Sequence, residues 1–161
     1  MGIFKPRLDK NIEDKIKTLN AKAFVTIPHT NGLPISENIF CQIYYTDTCI
    51  VIDGSGTTFN LDINKVNSIE MKTDIEIEKQ YVSSIGGGIA GAIAFGPLGA
   101  LIGGRIKEKK SKEIKRYLII TYTSNECIQY IGFDMTHTPK AMEFVKLFNK
   151  RNSNNTTVID L

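Results

Sequence analysis

Apolar and polar positions alternate with two different periods along this chain. Leu8, Ile12, Ile16 and Leu19 recur at helical spacing with lysines on the opposite face, which predicts a short amphipathic helix over 8–19. Such a helix either docks on the rest of the domain or lies on a membrane surface. The period then shortens to two. Ala23–Ile27 reads as a strand, and Pro28–Pro34 (PHTNGLP) reads as a turn-rich loop containing His29.

A series of short β segments follows. Ile39–Thr46 and Cys49–Asp53 flank Asp47-Thr48 as a hairpin, and Gly54-Ser55-Gly56 turns the chain into Thr57–Leu61. Val66–Lys72 and Ile75–Val82 are rich in β-branched residues. In the second of these, Ile75, Ile77, Lys79 and Tyr81 alternate with Glu76, Glu78 and Gln80, which predicts another strand. Tyr117–Thr123 and Cys127–Phe133 form a further hairpin across Ser124-Asn125-Glu126. The helical period returns after Thr138-Pro139, read as a capping threonine with proline at the first helical position, and Ala141, Phe144, Val145 and Phe148 mark the buried face. RNSNNTT then reads as a frayed polar tail. Several strands followed by one helix predict an α+β fold, a small bent antiparallel sheet or partial barrel plugged by its C-terminal helix.

One segment obeys neither period. Ile85–Gly104 (IGGGIAGAIAFGPLGALIGG) is twenty residues long, uncharged, and contains eight glycines. Ser84, Gly88, Ala92, Gly96, Ala100 and Gly104 form an unbroken small-xxx-small series, to which Gly87/Gly91 and Gly99/Gly103 add two GxxxG pairs. Each glycine costs about 1 kcal/mol relative to alanine in an aqueous helix, so close helix–helix packing in lipid or in an assembly must compensate. Gly96-Pro97 interrupts a single straight helix. Two legs, Ser83–Phe95 and Leu98–Ile106, would each span roughly 14 to 20 Å, short of a hydrocarbon core of about 30 Å. A membrane span, a hairpin and a buried packing element all remain open on length alone.

Charge sharpens this picture. Arg105–Arg116 (RIKEKKSKEIKR) carries seven basic residues against Glu108 and Glu113, a local net charge of +5, whereas the whole chain carries only +3. Arg105, Lys107, Lys109, Lys110, Lys112, Lys115 and Arg116 adjoin the apolar segment, where basic residues attract anionic lipid at about 1 kcal/mol each. They equally suit a solvated connector. The same lysines can hold nucleic-acid phosphates, but no aromatic residue lies between Arg105 and Arg116 to stack on bases, and nucleic acid is not an expected partner.

The N-terminal MGIFKPRLDKNIEDK is charged and unlike a secretory signal, and Pro6 stands where N-myristoylation wants Ser or Thr. Cys41, Cys49 and Cys127, odd in number and set in apolar runs, suggest reduced core thiols in a cytoplasmic protein. Neither His29 nor His137 sits in a triad, zincin or phosphate motif. Asp53 and Asp62 near Gly54 and Gly56 lack calcium-loop spacing, and GGGIAGAIAFGPLG matches neither GxGxxG nor a Walker loop. No catalytic residue, cofactor, metal site or small-molecule substrate is expected.

The hairpin FCQIYYTDTCIVIDG, the stretch FNLDINKVNSIEMKTDIEIEKQYVSS, the glycine-rich run, and YLIITY followed by IGFD and the final helix together resemble bacterial pleckstrin-homology-like (GRAM-like) domains. The likeness is to a group from Gram-positive bacteria and their mobile elements with a glycine-rich insertion, and it covers roughly Ala23–Asn149. It implies a noncatalytic adaptor that binds lipid headgroups or proteins. The expected organisation is an N-terminal helix (1–22), a PH-like domain (23–149) interrupted by a glycine-zipper hairpin (83–106) and a basic connector (105–116), and a polar tail (150–161). If the strands on both sides of the insertion share one domain, both its ends lie on one side of any bilayer. A hairpin bent near Phe95–Leu98 then replaces a single crossing. Its expected neighbours are anionic lipid at the inner face of the cell membrane or other copies of the same chain, because an exposed apolar hairpin is unfavourable in water.

Overall fold

The computed structural model describes residues 8–79, 113–154 and 159–161. Helix α1 (Lys10–Leu19) is followed by strands β1 (Ala23–Asn31), β2 (Phe40–Tyr45), β3 (Cys49–Gly54), β4 (Thr57–Asp62) and β5 (Val66–Thr73). Residues 74–79 are helical and are called α2. Strands β6 (Arg116–Ser124) and β7 (Cys127–Asp134) and helix α3 (Met142–Asn154) complete the order. The seven strands form one antiparallel sheet, β4-β3-β2-β1-β7-β6-β5. It does not close on itself, since β4 and β5 are its two edges.

Strand β1 makes the bend. Ala23 to Pro28 pair with Tyr45 to Phe40 of β2, whereas His29 and Asn31 pair with Phe133 and Gly132 of β7. The register is irregular between His29 and Asn31. Pro28 has no N–H to give a ladder, and it stands where the strand changes partner. The loop expected from Pro28 onward therefore begins only after Asn31, and His29 is a buried strand residue, 2% exposed, rather than a loop histidine.

Alternation along each strand builds the interior. Val25 and Ile27 of β1, Cys41, Ile43 and Tyr45 of β2, and Ile50 and Ile52 of β3 join Ile69, Leu118, Ile120, Ile131 and Phe133 in one core. Helix α3 fills the bend with Phe144 and Phe148, and the Phe144 ring meets Tyr45 edge-on at 5.9 Å. Ala141, just before it, is also fully buried and Val145 is partly so. Thr138 makes no side-chain cap bond, so Pro139 at the head of a 3-10 turn (Pro139–Ala141) begins this segment without the expected threonine cap. The helix continues to Asn154, into the segment expected to be tail.

A second apolar layer lies on the outer face. Phe24, Tyr44 and Val51 are direct cross-strand neighbours, and Ile12, Ile16 and Leu19 of α1 pack on them. The amphipathic helix is thus docked on the sheet. Asp9 caps its start by accepting from the Asn11 N–H at 2.8 Å, and Asn20 ends it in a left-handed conformation. Cys41 is buried and Cys49 half-buried, but Cys127 is exposed at the β6–β7 turn, contrary to the expectation of a core thiol. All three are free thiols. Burial pushes the Cys41 thiol above its ordinary pKa.

Candidate interaction site at the root of the insertion

Strands β5 and β6 pair from Val66–Tyr122 to Lys72–Tyr117 and Thr73–Arg116. The end of β5 consequently lies beside the start of β6, and antiparallel partners are only about 4.5 to 5.5 Å apart between Cα atoms. The Asp74 N–H donates to the Lys115 carbonyl at 3.0 Å, carrying the contact one step past the ladder. Everything from 75 to 114 is therefore inserted between two residues that touch. Both ends leave the sheet side by side.

On one wall of this root, Thr73-Asp74-Ile75-Glu76 starts α2. The Thr73 hydroxyl accepts from the Glu76 N–H at 3.2 Å, and Asp74 Oδ1 accepts from the Ile75 N–H at 2.8 Å. This is the T-x-x-E arrangement of a capped helix start, and it corrects the expected strand over Ile75–Val82 for residues 74–79. Positions two apart point to opposite sides of a helix, so Ile77 is fully buried while Ile75 is 44% exposed. Lys72 and Glu76 face each other at 3.9 Å.

The other wall is the entry to β6. The Arg116 N–H donates to the Thr136 hydroxyl at 3.0 Å, and the Met135 N–H donates to the Arg116 carbonyl at 2.9 Å. Thr136 in turn donates its hydroxyl to Asp134 at 2.6 Å. Ile114 is 47% exposed, matching Ile75 across the root. Glu113 and His137 approach to 3.5 Å at the surface, an ion pair only when the imidazole is protonated.

Of the residues singled out in the sequence, Ser84, Gly87, Gly88, Gly91, Ala92, Gly96, Gly99, Ala100, Gly103 and Gly104 lie outside the described residues, as do Arg105, Lys107, Lys109, Lys110 and Lys112. The hairpin expected at 83–106 lies there too. Lys115 is half-buried and Arg116 exposed, both at the root. Within 72–79 and 113–116 four basic residues balance four acidic ones, so the positive excess belongs to 105–112. Ile75 and Ile114 were not singled out as site residues. An isolated isoleucine beside a charged run carries no pattern of its own, and only the strand register reveals that the two flank one root.

Several other polar groups in the described residues are spent on local structure. An open groove of about 350 Å³ lies between α1 and the outer face of β2 and β3. Its Lys15 is paired with Asp53, which also accepts from the Thr58 hydroxyl at 2.7 Å. Lys15 Nζ sits 5.2 Å from the centre of the Tyr44 ring. Asp62 caps the 3-10 turn Ile63–Lys65 through the Asn64 N–H at 2.9 Å, and it stands at the opposite end of the β3–β4 ladder from Asp53. Among the described residues, no group of three or more His, Cys, Asp or Glu is placed to hold a metal ion. Among them, too, no helix is long and apolar enough to cross a membrane. Compared with known protein families and with curated proteins, the chain matches none.

Proposed function

We propose that this protein is a noncatalytic, membrane-associated adaptor of the PH-like type. Its glycine-rich insertion enters or packs at a membrane, and the lysines and arginines of 105–116 hold acidic lipid headgroups at the cytoplasmic face. The observation that carries this reading is the pairing of Thr73 with Arg116. A segment tethered at two touching residues delivers both ends to one surface, and a single crossing would require β5 and β6 to unpair. Ile75 and Ile114 add exposed apolar area at that surface, and they suit an acyl boundary better than water. The bent antiparallel sheet with its C-terminal helix agrees with the PH-like resemblance.

The reading is tested with anionic and zwitterionic vesicles. Binding to the anionic vesicles is expected to weaken with salt, and to weaken again when Lys107, Lys109, Lys110 and Lys112 are all replaced by glutamine. Equal binding to both vesicle types by both proteins rejects the headgroup role. A second reading, a homo-oligomeric scaffold assembled through the insertion, is favoured by the small-xxx-small series from Ser84 to Gly104. Light scattering without detergent separates the two. A monodisperse monomer that floats with vesicles excludes the scaffold, and a defined oligomer that ignores vesicles excludes the membrane adaptor.

A further inference from the structure

The β1–β2 loop is tied down by one imidazole. His29 Nδ1 lies 3.2 Å from the Ser36 carbonyl oxygen, which can only accept, and Nε2 lies 3.2 Å from the Leu33 N–H, which can only donate. These two contacts allow one ring state, neutral with its proton on Nδ1. The backbone of the same residue holds the loop's far stem. Its N–H donates to the Ile39 carbonyl at 2.7 Å, and its carbonyl accepts from the Asn38 N–H at 2.8 Å. Leu33 and Ile35, carried by this loop, pack against the main core.

We propose that the loop is an acid-opened flap: neutral His29 clamps Leu33 and Ile35 onto the core, and protonation of Nε2 releases them. A second ring proton turns the Nε2 acceptor into a donor facing the Leu33 N–H. It also places a charge on a residue that is 2% exposed and whose ring stands roughly perpendicular to that of Phe133, with centroids 6.1 Å apart. Water reaches that charge only if the loop lifts. Gly32, at φ +106°, holds the near stem of the loop so close to β7 that a Cβ there would fall 2.0 Å from the Tyr130 carbonyl oxygen.

Burial disfavours the charged ring most; backbone contacts from Ser36 and Asn31 favour protonation, as does Glu37, the charged group among the described residues whose field acts on the ring. Phe133, the neighbour from β7, does not titrate. Burial outweighs these effects and holds the imidazole below its ordinary 6.5. The opened loop protonates more readily than the closed one, so acid favours opening. The closed state loses ground as pH falls from 6.5 toward the lowered value and is constant below it.

Ring nitrogen NMR and amide exchange on the intact chain test the proposal. At pH 7.5 the ring is expected to carry its proton on Nδ1. Below pH 6.5 the protection of the Leu33 amide, corrected for intrinsic exchange, is expected to fall by up to about tenfold per pH unit while the Ile43 amide keeps its protection. In His29→Gln this pH dependence should vanish. A proton on Nε2 at pH 7.5, Leu33 protection that is flat with pH, an equal fall at Ile43, or an unchanged slope in a folded His29→Gln variant would each overturn it. The first three readouts need no variant.

Discussion

Strands β5 and β6 meet two environments along one ladder. In their middle, Ile69, Leu118 and Ile120 are buried under the sheet's own curvature and the C-terminal helix. At their end, Thr73 and Arg116 carry the insertion, and the next large apolar residues on either side, Ile75 and Ile114, face solvent. The first region is held by a continuous buried core, the second by one capped turn, a few backbone bonds and the single buried side chain of Ile77. Stability and the proposed membrane contact are therefore separable on this chain, and substitutions can address one without the other.

The largest effect is expected inside the bend. Phe144→Ala removes a fully buried ring packed on Tyr45, and it should cost about 3 to 5 kcal/mol in denaturant unfolding while leaving vesicle binding per folded molecule unchanged. A loss below about 1 kcal/mol would mean that α3 is not part of the core. At the root, Thr73→Ala removes the hydroxyl that caps α2, with an expected cost of about 1 kcal/mol by the same measurement. Thr73→Ser should restore most of it, and failure to do so would assign the loss to the strand instead of the cap.

The smallest effect has the opposite sign. The Tyr45 hydroxyl is buried with no hydrogen-bond partner among the described residues, and burial raises its pKa. Tyr45→Phe should leave thermal stability unchanged or raise it by up to about 1 kcal/mol, because it removes a desolvated polar atom and keeps the ring against Phe144. Clear destabilisation would show that the hydroxyl has a partner after all.

The sheet was legible because its strands keep a period of two and its turns use the residues they need. Gly56, with φ +73° beside Ser55 at +53°, makes the β3–β4 turn that Gly54-Ser55-Gly56 announces. The outer apolar layer was half-legible. Phe24, Tyr44 and Val51 stand where an exposed face would be polar, and α1 supplies the matching stripe, but only the register makes them neighbours. The extent of β1 was hidden by Pro28-His29, since proline normally ends a strand and here marks the change of partner. At residues 74–79 two signals conflicted, Ile75 and Ile77 alternating like a strand while Thr73 and Glu76 cap a helix. The cap won because it satisfies backbone donors that a strand beyond the paired segment would leave open. Cys127 sits in an apolar run like a core thiol, yet that run faces outward at the hairpin tip, where Ile128 is 60% exposed.

The separation of scaffold from membrane contact is tested most directly by flotation of the full chain and of a variant lacking Ser84–Gly104 with anionic vesicles, alongside unfolding of both proteins. Since the deletion lies wholly between strands that are already paired at Thr73 and Arg116, the variant is expected to unfold with the same midpoint within experimental scatter and to float markedly less than the full chain, its remaining binding carried by the basic residues of 105–116. Equal flotation of both proteins, with both folded, would contradict the account.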